Sequence, residues 1–126
     1  MKRLFVLPVL AFSVWVYAAG KTSAFEGTLV SATCYMSDHS ATANDMFGSK
    51  ECGSGCLEQG KPGGLLTKDN QFYMLDAPSL RLAPYVGQQI RITGEELSKD
   101  ILSVKTVAVK KGNGWESIDI RYHPQK

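Results

Sequence analysis

The stretch Ile101-Leu-Ser-Val-Lys-Thr-Val-Ala-Val109 is the part of the sequence that decides the fold. Leu102 and Val104 share one face of a strand, because side chains alternate with a period of two residues. Val107 and Val109 fall on the opposite face, so the apolar pattern changes phase within a single run. Such a phase switch predicts a β-bulge, and a bulge allows a strand to bend around a small barrel.

The rest of the chain predicts short strands separated by turns. The other predicted elements are a first strand over 25–36, a hairpin over 65–75 with its turn at 68–71, a strand over 88–93 ended by Gly94, and a last strand containing Trp115, Ile118 and Ile120. A connector over 78–85, with one helical turn, offers Leu80 and Leu82 to the core. No segment of period 3.6 is long enough for an α/β fold. We therefore predict an all-β fold with minor helix, a small antiparallel OB-fold-like barrel of five to six strands.

The N-terminus has the three parts of a secretory signal. Lys2 and Arg3 precede an apolar stretch over 4–17, and small residues follow at 18–20. The stretch is shorter than the roughly 20 residues that a membrane-spanning helix needs. We predict a signal peptide over 1–20 with cleavage between 18 and 24, an exported protein that is periplasmic or extracellular, and no stable membrane anchor after cleavage.

The charge balance gives little reason to expect nucleic acid as a partner. The chain has 14 Lys and Arg against 12 Asp and Glu, and Lys2 and Arg3 leave with the predicted signal peptide. The rest of the chain, which includes the predicted domain over 25–122, therefore has 12 basic against 12 acidic residues and a net charge near zero. Binding to nucleic acid depends on basic residues that neutralise phosphates, so we predict an unidentified protein or small ligand instead.

Three cysteines in an exported chain cannot all pair within that chain. Cys34 lies near the end of the predicted first strand, whereas Cys52 and Cys56 lie in a polar loop over 37–64, where a short helical turn presents both on one side. A disulfide could join Cys52 to Cys56. It could instead join Cys34 to either of them, closing a loop of roughly 20 residues and stabilising the fold by about 3 kcal/mol.

A soft metal site is the sharper hypothesis. Cys34, Cys52 and Cys56 with His39 or His123 form a Cys3His set, which suits copper or zinc. Thioethers at Met36 and Met46 in the same region would favour Cu(I). A free thiol that exchanges with a disulfide, or that bridges to a partner, is a third alternative.

No motif in the sequence predicts catalysis. The chain contains no G-x-S-x-G, no H-E-x-x-H and no phosphate-binding glycine loop. We predict a non-enzymatic binding or accessory domain whose functional surface is the cysteine-rich loop. The alternative is a disulfide-stapled module, without metal, that binds a protein or oligosaccharide on the barrel face.

Several segments together resemble a group of small exported bacterial proteins of uncharacterised function. The segments are Val30–Met36, Cys52-Gly-Ser-Gly-Cys56, Gly60-Lys-Pro-Gly-Gly-Leu-Leu-Thr67, Tyr85-Val-Gly87, Ile90-Arg-Ile-Thr-Gly94, Val107-Ala-Val-Lys-Lys-Gly112 and Trp115. The most specific part is the cysteine pattern C-x17-C-x3-C with the glycine and proline run after it. The resemblance implies an OB-like barrel and a shared cysteine site, but no particular activity.

Overall fold

The computed structural model describes residues 22–121, and β-strands predominate among them, as predicted. The strands are β1 Ser23–Ser31, β2 Gly63–Leu66, β3 Phe72–Asp76, β4 Gln89–Ser98, β5 Ile101–Lys111 and β6 Gly114–Ile118. The helices are α1 Ala32–Ser37, α2 Cys52–Glu58 and α3 Ser79–Leu82, and α3 continues into a 3₁₀ turn over Ala83–Tyr85. The predicted signal peptide over 1–20 and His123 lie outside the described residues.

All six strands belong to one sheet in the order β3-β2-β1-β4-β5-β6. Neighbours in this order are antiparallel, and the predicted hairpin is confirmed by the pairing of β2 with β3. β3 also pairs in parallel with β5, through Met74↔Ile101, Leu75↔Leu102 and Asp76↔Ser103. The pairings β1–β2–β3–β5–β4–β1 therefore return to their starting strand.

The predicted bulge is present in β5 where this strand pairs with β4. Thr93 pairs with Thr106 but Gly94 pairs with Val104, so Lys105 is the extra residue on β5. The prediction that Gly94 ends its strand is wrong, because β4 continues to Ser98. A Cβ atom at this glycine would collide with the carbonyl oxygen of Ser103. The glycine therefore permits a close approach of two backbones rather than a turn.

The first strand is shorter than its sequence pattern predicted. β1 ends at Ser31, and the segment predicted to continue as strand to Met36 forms α1 instead. The Ser31 hydroxyl accepts a hydrogen bond from the N–H of Cys34 at 3.5 Å, which is the contact of a helix N-cap. Cys34 therefore lies on a short helix, not at the end of a strand.

The core lies between the strands and the helices α2 and α3. Its buried apolar residues are Leu29, Leu57, Leu65, Leu75, Leu82, Ala83, Val86, Ile90, Ile92, Leu102, Val107 and Val109. Leu82 is fully buried, as predicted, but Leu80 is 66% exposed and contributes nothing to this core. Residues two positions apart lie on nearly opposite sides of a helix, so α3 buries only one of them.

The predicted helical turn in the polar loop is confirmed as α2, and β2 begins at Gly63, inside the predicted loop. Leu57 of α2 is fully buried in the core. Gly53 faces the segment after α3, since a Cβ atom there would lie 2.5 Å from Val86 Cγ1. Gly55 has nothing within 4 Å of the same position.

These two glycines give a matched test of how α2 is docked. An alanine at either position gains about 1 kcal/mol of helix propensity. We expect Gly55→Ala to raise the free energy of unfolding by up to about 1 kcal/mol. Gly53→Ala should lower it by about 1–3 kcal/mol because its methyl group overpacks against Val86. Urea denaturation measures both values, and equal stability of the two variants would contradict this packing.

Candidate functional site

Two of the three cysteines meet where α1 and α2 approach each other. The Sγ atoms of Cys34 and Cys56 lie 3.7 Å apart, and both residues are half-buried. This separation exceeds the roughly 2.05 Å of a disulfide bond, so the pair is in the dithiol form. It is close to the sulfur–sulfur distance of about 3.8 Å expected when two thiolates bind one tetrahedral metal ion with metal–sulfur bonds of about 2.3 Å.

Ser31 organises both sides of this thiol pair. Its residue is completely buried, and its hydroxyl caps α1 at Cys34. The same hydroxyl lies close enough to Cys56 to lower the pKa of its thiol. The register of β1 against β2 places Ser31 opposite Gly63, five residues after α2 ends at Glu58. The end of β1 therefore lies beside both cysteines.

The loop before α2 is held by polar side chains that the sequence interpretation missed. Asn44 Oδ1 accepts a hydrogen bond from the N–H of Ser54 at 2.8 Å, and Asp45 Oδ1 accepts one from the N–H of Glu51 at 2.8 Å. The Ser54 hydroxyl also donates to the carbonyl oxygen of Ala83 at 2.6 Å. An Asn or Asp shortly before a helix is a sequence signal for hydrogen bonds to the first N–H groups of that helix. Here the hydrogen-bonded residues are six and ten positions apart, which is longer than the usual local pattern.

Cys52 lies one helical turn before Cys56 and is half-buried. Residues four apart share one face of a helix, as had been predicted for these two cysteines. Within residues 22–121, however, no three side chains of His, Cys, Asp or Glu lie close enough together to hold a metal ion. The structure thus brings together two of the four predicted ligands, Cys34 and Cys56, and places Cys52 one helical turn before Cys56.

His39 belongs to an aromatic stack. Its ring packs on Tyr35 with centroids 4.8 Å apart and planes at 14°, and Tyr35 packs on Phe72 with the same centroid distance. The spacing of four residues between Tyr35 and His39 was an available signal for this contact. Next to His39, hydrogen bonds from the hydroxyl and N–H of Ser40 lower the pKa of the Asp38 carboxyl.

The environment of the thiol pair keeps Cys56 protonated. Burial raises the pKa of the Cys56 thiol above its usual value of 9.0, and the neighbouring Cys34 raises this pKa further. The Ser31 hydroxyl and the charge of Lys61 act in the opposite direction but are weaker. Without a bound cation, the Cys56 thiol is therefore more stable in its neutral form.

Comparisons of the chain with protein-family models, with curated proteins and with solved structures find no match. Among the described helices, none combines the length and apolar character needed to cross a membrane. The function is therefore inferred from the geometry of the site.

The raised pKa of Cys56 makes the stability of the reduced, metal-free protein dependent on alkaline pH. The folded state holds the Cys56 proton more tightly than the unfolded state. This stabilising contribution is complete below about pH 9 and is lost as the pH rises through the folded-state pKa. Between pH 8 and pH 10.5, we expect the wild type to lose more unfolding free energy than Cys56→Ser.

The measurement is urea denaturation at several pH values with a reductant and a chelator present. Cys52→Ser serves as the control, because it retains the contact between Cys34 and Cys56. An identical pH dependence for wild type and Cys56→Ser would show that the thiol pair is not desolvated.

Proposed function

We propose that this chain is a small exported accessory domain, non-enzymatic, that binds one soft metal ion through Cys34 and Cys56. Its scaffold is an OB-type barrel. The circuit of strand pairings and the bulge at Lys105 support this architecture. The signal-like pattern at residues 1–20 supports export.

The single observation that carries the proposal is the contact between the sulfur atoms of Cys34 and Cys56. The two residues come from different helices and are 22 positions apart, so the fold and not local sequence brings them together. Thiolates are soft ligands that favour Cu(I) and zinc. A cation of this kind would replace the thiol protons that the desolvated site otherwise retains.

Cys52 is the best candidate for the third ligand. It shares a helix face with Cys56 one turn away. Among the described residues no three such side chains are close enough together to hold an ion, so binding by three thiolates requires the Cys52 side chain to turn toward the other two. His39, by contrast, would have to leave its stack on Tyr35 to act as a ligand. The proposed ligand set is therefore Cys34, Cys52 and Cys56, without His39.

A disulfide between Cys34 and Cys56 is the second candidate, and one observation favours it. The desolvation that raises the pKa of Cys56 opposes the thiolate form that a metal requires. In an oxidising compartment, a bond between these cysteines would close a loop of 22 positions and stabilise the fold by about 3 kcal/mol in the loop-entropy model. The domain would then be a stapled binding module.

Mass spectrometry of the secreted protein distinguishes the two candidates. The protein is alkylated under denaturing conditions to count free thiols, and a second sample is reduced, loaded anaerobically with Cu(I) or Zn²⁺, and measured under native conditions. We expect three alkylated cysteines and one retained ion. Cys34→Ser and Cys56→Ser should each weaken binding by more than about 100-fold, beyond the loss typical of outer-shell partners.

His39→Ala is the matched control, since it removes a predicted ligand from the same loop and should leave metal affinity unchanged. Cys52→Ser tests the third ligand and should weaken binding. A protein with one alkylated cysteine that retains neither metal after reduction and loading would exclude metal binding and support the staple.

A further inference from the structure

A separate groove lies between the β2–β3 turn and the strand pair β5–β6. Its volume is about 370 Å³, which is in the range of small-ligand sites. Its lining includes three aromatic rings, Phe25, Tyr73 and Trp115, and none of its residues comes from the cysteine-bearing segment 32–62. This groove is therefore independent of the thiol pair in both position and chemistry.

The aromatic wall of the groove is held in place before any ligand arrives. The Arg91 guanidinium lies 4.2 Å from the centre of the Trp115 ring, which is a cation–π contact. Glu26 fixes that guanidinium through an ion pair of 2.7 Å with Nη2, and its Oε1 accepts a hydrogen bond of 2.8 Å from the Arg91 Nε–H. Because the ring is already oriented, binding against it costs little side-chain entropy.

The second aromatic pair forms the other part of the groove. The rings of Phe25 and Tyr73 meet edge to face with centroids 5.4 Å apart, and both pack against the buried core. The groove thus presents rigid aromatic carbon beside its polar groups.

The polar lining has no excess of either charge. Two lysines, Lys68 and Lys110, stand against two carboxylates, Glu26 and Asp69. The amides of Gln71 and Gln89 add both hydrogen-bond donors and acceptors. An anionic polymer would gain little from this balance, because its affinity depends on an excess of basic residues.

A ligand that fits such a lining is uncharged, rich in hydroxyl groups and apolar on one face. Sugar rings have this character, since their C–H faces pack on aromatic rings while their hydroxyls both donate and accept hydrogen bonds. We propose that the groove binds a short neutral oligosaccharide, with Trp115 as the stacking platform and Gln71 as a hydroxyl-binding side chain at the rim. This proposal requires no metal and does not depend on the state of the cysteines.

Trp115 also supplies the signal for the test. The chain has two tryptophans, and the other, Trp15, lies in the predicted signal peptide. The secreted protein is titrated with maltotriose, cellotriose and triacetylchitotriose while tryptophan emission is recorded; if its mass shows that residue 15 is retained, Trp15→Phe gives the same single reporter. We expect at least one of these sugars to change the emission saturably, with a Kd of about 1 mM or tighter.

Calorimetry then tests the residues. Trp115→Ala should weaken binding about tenfold or more, and Gln71→Ala by a smaller factor. Ser117→Ala is the matched control, because it lies on the same strand outside the groove and should bind like the wild type. Thermal unfolding of each variant confirms that it is folded.

Three results would overturn the proposal: no binding of any of the three sugars, unchanged affinity in folded Trp115→Ala, or stronger binding of a sulfated oligosaccharide that weakens with added salt. Repeating the titration with a chelator separates this proposal from the metal site. Sugar binding that persists without metal supports the groove whatever the outcome at the cysteines.

Discussion

The bulge at Lys105 is the constraint on which the rest of the structure depends. Before the bulge, residues 101–103 of β5 lie between β4 and β3, and after it residues 107–109 lie between β4 and β6. One strand therefore changes its second neighbour at the point where its backbone bends. The extra residue bends the strand and increases its twist, and this bend falls between the part of β5 that pairs with β3 and the part that pairs with β6. Gly94 permits this bend because no side chain there separates the two backbones.

The position of the thiol pair depends on the elements packed around the C-terminal end of β1, at Ser31. At Gly64, a side chain would collide with the ring of Phe72, so the glycine leaves room for that ring beside β2. Tyr35 of α1 then packs on Phe72, and this contact orients the helix that carries Cys34. α2 is oriented independently, by burial of Leu57 and by the hydrogen bonds of Ser54. The two sulfurs meet because two separately anchored helices each place a cysteine beside the same buried Ser31 side chain.

The sequence was sufficient to predict features that depend on local pattern. The bulge followed from the phase change between Val104 and Val107. The short helical turn predicted around Cys52 and Cys56 is present as α2, although the composition there, with Gly53 and Gly55, disfavours a helix. The prediction that the first strand continues to Met36 was wrong. A segment of six residues, the length of α1, is too short to distinguish the strand period from the helix period, and the N-cap hydrogen bond of Ser31 favours the helix.

The candidate site was less predictable than the fold. Long-range contacts set it, and the sequence left open which cysteine meets Cys34. The part played by Asn44 and Ser54 also depends on contacts across 10 and 29 positions, which a local pattern does not reveal. Among the predicted ligands, His39 was assigned by its residue type alone, and its ring is instead occupied by the stack on Tyr35.

The arrangement of the third cysteine bears most directly on the chemistry of the site. A disulfide bond between Cys34 and Cys56 would use two sulfurs and give no role to Cys52. The position of Cys52 relative to the other two cysteines would then not matter. Cys52 instead sits on the same face of α2 as Cys56, one turn away and half-buried. Three neighbouring thiolates would repel one another, so a cation between them is needed to offset both this repulsion and the desolvation of each thiolate. The raised pKa of Cys56 is thus compatible with a metal site, because desolvation opposes an isolated thiolate and strengthens its attraction to a bound cation.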